Sequence, residues 1–183
     1  DRADLPAFAH LASARTILIE AESVIDRRFI RIPWKGSSWY NWRALPMRGW
    51  ISQQVYKLAA VKVVPEDILV MTDSDTTFVR SFSVDDFLVD SKTGLLDVDY
   101  CAGMVPVWTN VAVKLLGLKH APQLRGHVGN LIAWRREHIA ALHARIEAAT
   151  GLPWQIAIAR HRTFSEYILY GVFIRHLLGY NAS

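Results

Sequence analysis

At 183 residues the chain has the length of one ordinary domain. Its 51% hydrophobic content, with only 10 Gly and 7 Pro, supplies apolar surface for a core and excludes a disordered chain or a tandem multidomain enzyme. The longest stretch without a charge, residues 100–113, contains Pro106 and is shorter than the roughly 20 apolar residues a spanning helix needs, so no membrane span is expected. One cysteine, Cys101, excludes a disulfide framework and a Cys-based zinc cluster, and the absence of a charged-then-apolar leader makes the cytoplasm the expected compartment. Charge is uneven: residues 1–100 carry 12 Lys+Arg against 14 Asp+Glu, whereas residues 101–183 carry 9 against 3. The basic residues are dispersed, which favours a small anionic ligand such as a phosphate over nucleic acid.

In chain order, Asp4 and Pro6 are placed to cap and start a helix that keeps Leu5, Phe8, Ala9 and Leu11 on one face. Residues 16–20 (Thr-Ile-Leu-Ile-Glu) read as a short buried strand. Residues 33–42 combine Gly, Ser and Asn with three tryptophans and a tyrosine without a period, and are expected to form a loop. A helix follows from about Trp50 to Val61, with Ile51, Val55, Leu58 and Ala59 on one face and Gln53, Gln54 and Lys57 elsewhere; Pro65 closes it. Residues 68–71 (Ile-Leu-Val-Met) form an apolar strand that delivers Thr72-Asp73-Ser74-Asp75 at its carboxyl end. Further strands are expected near 98–101 and 128–133, and helices over 110–116, 136–149 with Gly151 as the closing residue, from Pro153, and from Thr163 to about 178. Helices and strands alternate without a repeat or linker, which predicts one α/β domain, a mixed sheet flanked by helices.

Asp73 and Asp75 carry the sharpest chemistry. Two carboxylates one residue apart at a strand end can turn toward one divalent cation, and their hard oxygens suit Mg²⁺ or Mn²⁺. The alternative is an Asx-turn leaving the strand. Glu166 also has two readings: Thr163-Phe-Ser-Glu166 has the spacing of a capping box, and a carboxylate in the first turn of a late helix can serve as a general base.

Gly49-Trp50 with Gln53, Gln54 and Lys57, the block Ile68-Leu-Val-Met-Thr-Asp73-Ser-Asp75-Thr-Thr-Phe-Val-Arg80, and Phe164-Ser-Glu166-Tyr-Ile-Leu-Tyr170-Gly171 together resemble a bacterial branch of the GT-A nucleotide-sugar glycosyltransferases. The resemblance implies a Rossmann-like GT-A sandwich and a DXD motif holding Mn²⁺ or Mg²⁺ against a nucleotide diphosphate-sugar donor. It also implies transfer of the sugar to a glycan, lipid or small-molecule acceptor. Carried onto this chain, Asp75 is the direct metal ligand and Asp73 a ribose contact or water-mediated ligand. A late histidine, His161 first and His127 second, completes the metal site, and Glu166 is the base. Gln53, Gln54 and Lys57 face the nucleotide or form a solvated helix face; Trp50 stacks on the base or belongs to the core. GT-A domains usually open on a nucleotide-binding strand, whereas this chain starts at what reads as the following helix, so part of the donor pocket is expected to be missing.

Two other classes fit part of the pattern. Asp73-Ser-Asp75-Thr-Thr77 satisfies the Asp-x-Asp-x-Thr of haloacid-dehalogenase-like phosphatases, with Asp73 as nucleophile, but residues 101–183 contain no aspartate for that family's later acidic pair. A non-catalytic nucleotide- or sugar-binding module is the other. His138 and His143 stand five apart, off the four-residue ligand spacing of a helix face, and Cys101 has no activating partner in the pattern.

Overall fold

The computed structural model describes residue 2 and residues 4–32, 38–73, 75–89, 92–99, 103–120 and 122–179. Cys101 and Ser74 lie outside them. The described chain is mixed α/β, with helices predominating. In order it runs α1 (Leu5–Phe8), α2 (Ala21–Val24), β1 (Ile30–Ile32), β2 (Ser38–Tyr40), α3 (Gly49–Ala59), β3 (Ile68–Thr72), β4 (Leu88–Val89) and β5 (Lys92–Thr93). It continues with α4 (Val105–Leu116), β6 (Leu131–Arg135), α5 (Arg136–Thr150), α6 (Trp154–Ala159) and α7 (Glu166–Leu177). The described strands form three antiparallel pairs, β1 with β2, β3 with β6 and β4 with β5, rather than the single mixed sheet expected.

The β3 and β6 ladder is the centre of the site. Leu69 faces Trp134 and Thr72 faces Leu131, and β6 packs on α5. Trp134 is fully buried, with Tyr167 and Tyr170 of α7 tilted against it at 5.7 and 5.4 Å. α3 forms because its apolar residues recur every three or four positions. Ile51, Val55, Leu58 and Ala59 are all buried, and each large side chain removed from water stabilises by about 1.5–3 kcal/mol. α5 ends at Gly151, whose φ of 65° lies in the left-handed region that a Cβ disfavours.

Several local expectations are corrected. Residues 17–20 form no strand: Ile17 is 80% exposed, and Thr16 makes only a bridge to Ser13, because no strand among the described residues reaches the apolar run. The aromatic stretch 33–42 is not all loop; residues 33–37 lie outside the described ones, while 38–40 pair with β1 and bury Trp39, which also bridges Met47. The strand expected at 128–133 is at 131–135, its register drawn by pairing with β3. Near 98–101 only Val98 pairs, with Gly126, and residues 100–102 are outside the described ones. α4 starts at Val105 rather than 110, since Pro106 sits in its first turn where a missing N–H costs nothing. The Asp4 side chain does not cap α1.

The capping box is the correction with most consequence. α7 begins at Glu166, and its N-cap is Ser165, whose hydroxyl accepts from Ile168 N. Thr163 faces elsewhere: its Oγ1 accepts from Trp108 Nε1 at 3.0 Å. Glu166 is therefore freed from a capping role.

Candidate functional site

Three elements converge on one ammonium group. Lys57, in the last turn of α3, points toward the carboxyl end of β3 and the first turn of α7. Its Nζ donates to Asp73 Oδ1 at 2.9 Å and to Tyr167 OH at 2.8 Å, and lies 3.4 Å from Glu166 Oε1. It also stands 4.8 Å from the Tyr167 ring centroid. The Glu166 side chain is 4% exposed and that of Asp73 is 41% exposed, so the cluster runs from the interior to the surface.

Burial works against charge on both Lys57 and Glu166, with opposite outcomes. For Lys57, desolvation would lower the pKa, but the hydrogen bonds to Tyr167 and Asp73 and the charge of Glu166 together outweigh it and hold the ammonium above its ordinary value. For Glu166, desolvation dominates over the attraction of Lys57, and the carboxyl is raised above the ordinary carboxylate range. A buried carboxylate poised upward beside an exposed one is an acid–base arrangement. Burial also raises the Tyr167 phenol, with the Lys57 hydrogen bond opposing it.

The surrounding residues fix the geometry. Gln54 is buried, and its Oε1 accepts from Glu166 N at 2.9 Å, tying the start of α7 to α3. It is a positioning contact. Gln53 is on the exposed side of α3. Trp50 is 48% exposed, with its ring 5.7 Å from Trp108, so it is half packed and half available. Asp75 is exposed, inside the tight turn that Thr76 N closes by donating to Asp73 O.

The two histidines occupy other surroundings. His161 lines a cavity with Arg48 and Arg162, and burial, then Lys114 and Arg160, depress its pKa. His127 is buried, donates from Nδ1 to Leu96 O at 2.8 Å and packs its ring against Gly171. Among the described residues no three His, Cys, Asp or Glu side chains are grouped to hold an ion.

Sequence reasoning named Lys57, Asp73 and Glu166 separately and missed that they touch. It also missed the hydroxyl of Tyr167 as a partner for Lys57; adjacency to Glu166 in the first turn of a helix was the available signal. A second charged cluster went unseen. Asp97, its side chain 2% exposed, lies between Arg125, which also contacts Asp99, and Arg175 of α7 at 2.8 Å. It fastens residues 97–99 and Arg125 to α7.

A family model covers all of these residues, from 7 to 179. The chain belongs to DUF6492, a family of unknown function. No curated protein and no solved structure matches it. Within this DUF6492 chain the Lys57 cluster brings chemistry-bearing side chains from three separate elements together at the carboxyl end of β3.

Proposed function

We propose that this DUF6492 chain is a metal-dependent glycosyltransferase. It moves a sugar from a nucleotide diphosphate-sugar to an acceptor hydroxyl, on a GT-A fold whose DXD strand is β3. The observation that carries the proposal is the meeting of Asp73, Lys57 and the buried Glu166 beyond that strand. The donor set suits Mn²⁺ or Mg²⁺: Asp73 and Asp75 offer carboxylate oxygens, Asp73 has only Oδ1 on Lys57, and such ions commonly bind through one or two carboxylates plus substrate phosphates. When bound, the ion neutralises charge on the departing diphosphate.

The chain's own residues supply the rest. Lys57 orients Asp73 and places a fixed positive charge beside the phosphate-binding end of the site. Glu166, its pKa raised by burial, takes the proton of the acceptor hydroxyl as general base. Gln54 and Ser165 hold the first turn of α7, and so Glu166, in place. The open face of Trp50 offers a stacking surface for a nucleotide base, with Gln53 beside it on the exposed side of α3.

The test is an assay of nucleoside diphosphate release from a panel of nucleotide-sugars with Mn²⁺ or Mg²⁺. Release is expected, abolished in Asp75→Ala and lowered about 10²-fold or more in Glu166→Gln. Metal-dependent nucleotide-sugar binding without turnover would favour the binding module instead. Inorganic phosphate released from phosphomonoesters, with a phosphorylated Asp73, would favour the phosphatase.

A further inference from the structure

A cavity of about 370 Å³ opens between the start of α3 and the segment that follows α6. Ile51, on its wall, is six residues before Lys57, or about 9 Å along the helix axis, so the cavity is separate from the Lys57 cluster. Its base is apolar: Met47, Ile51 and Ala159 are 1%, 8% and 1% exposed. Its edge is cationic: Arg48 and Arg162 are exposed, and His161 stands half-buried between base and surface. No acidic residue lines it. On the far side of His161 a second hollow is lined by Lys114 and Arg160, which extends the positive field.

The charge around the cavity is of one sign. Some arginines of this chain are matched, Arg2 with Glu20, Arg28 with Asp26 and Arg31 with Glu22. Arg48 and Arg162 have no carboxylate partner among the described residues. An anion bound at this edge would meet positive charge from both.

The cavity is also preformed. The segment 41–48 that makes one wall is pinned along its length. Asn41 donates through Nδ2 to Arg28 O and accepts from Arg43 N, each at 2.8 Å. Leu45 N donates to Ala159 O at 3.1 Å, and Met47 exchanges both backbone hydrogen bonds with Trp39 at 2.8 Å. A wall held at these points needs little reordering when a ligand enters, which favours binding.

We propose that this cavity binds an amphiphilic phosphate, with the phosphate at Arg48 and Arg162 and its apolar body on Met47, Ile51 and Ala159. Bare phosphate would leave the apolar base wet, and a neutral amphiphile would leave the arginines unanswered; only a ligand with both parts matches both surfaces. A membrane lipid headgroup and a free phosphorylated metabolite share this chemistry. The proposal does not rest on the transferase function, and either can fail alone.

Calorimetric titration with octyl phosphate, below its micelle concentration, tests it against inorganic phosphate and the neutral octyl glucoside. Octyl phosphate is expected to bind at least 10-fold more tightly than either control, and to weaken as salt is raised. In the double variant Arg48→Gln with Arg162→Gln its affinity is expected to fall at least 10-fold; both side chains are exposed, so circular dichroism should show an unchanged fold. Glu166→Gln should bind octyl phosphate as the parent does, which keeps this site apart from the Lys57 cluster. Capture on vesicles containing phosphatidic acid, lost in the double variant, assigns a membrane-borne ligand; octyl phosphate binding without capture assigns a free one. Equal affinity for octyl glucoside, no binding of octyl phosphate, or an unchanged affinity in the double variant overturns the proposal.

Discussion

Lys57 holds together groups that would otherwise repel or stand unpaired. Without its ammonium, Glu166 is left buried with no counter-charge and Asp73 loses its hydrogen-bond donor. Breaking one side of a buried pair costs more than the pair contributes, because the remaining charge still has to be desolvated. Lys57→Met is therefore expected to lower unfolding free energy at pH 7 by about 3 kcal/mol in urea titration. Adding Glu166→Gln removes the stranded charge, so the double variant should be more stable than the sum of the singles by about 1 kcal/mol or more. Simple additivity would show that the 3.4 Å approach of Lys57 to Glu166 carries no energetic coupling.

α7 shows how an element's detail depends on its neighbours. Its chain carries two capping signals within three residues, Thr163 and Ser165, and a local reading prefers Thr163 because Glu166 completes the box. The choice goes to Ser165 because Trp108 of α4 occupies the Thr163 hydroxyl. Gly171, mid-helix, is a further case. An alanine there would ordinarily stabilise a helix by about 1 kcal/mol, but a methyl at this position is driven into the His127 ring. Gly171→Ala is expected to destabilise by about 1–3 kcal/mol. With His127→Ala in the same chain the alanine should cost much less, since the ring it strikes is gone. Thermal melts of the four chains read this directly, and an equal penalty in both backgrounds would remove the ring as its cause.

For the molecule as a whole, the interior holds neutral histidines, and this sets its acid limb. His127, His138, His143 and His161 are all lowered chiefly by burial, His143 to about 3. A histidine with a depressed folded pKa takes up a proton more readily when unfolded. Its contribution is present in full above the unfolded value of about 6.5 and is lost as pH falls toward the folded value. Glu166 works in the other direction, since its raised carboxyl favours the folded state as pH falls toward its unfolded value. Melting temperature is expected to fall between pH 6.5 and pH 4. His143 stacks on Trp154 at 3.9 Å with its Nε2 buried and unpartnered. His143→Phe keeps a stacked ring while removing the titrating group, and should flatten that slope without lowering the melting temperature at pH 7.5. An unaltered slope would rule out His143 as its main source.

The sequence by itself determined what depends on neighbours a few residues away. The amphipathic period of α3, the apolar run of β3 with Asp73 and Asp75 after it, and the helix closed by Gly151 were legible because spacing and turn chemistry act locally. The exposed run at 17–20 was misread for the same reason: it has a strand's composition, and only the lack of a partner ladder denies it that state. Tertiary structure alone decided the site. Lys57 meets Tyr167 across 110 residues of chain, Gln54 meets Glu166 N across 112, and the strand register of 131–135 follows from β3. No local pattern encodes such contacts, because they form only when packing of the apolar faces has brought α3, β3 and α7 to one point.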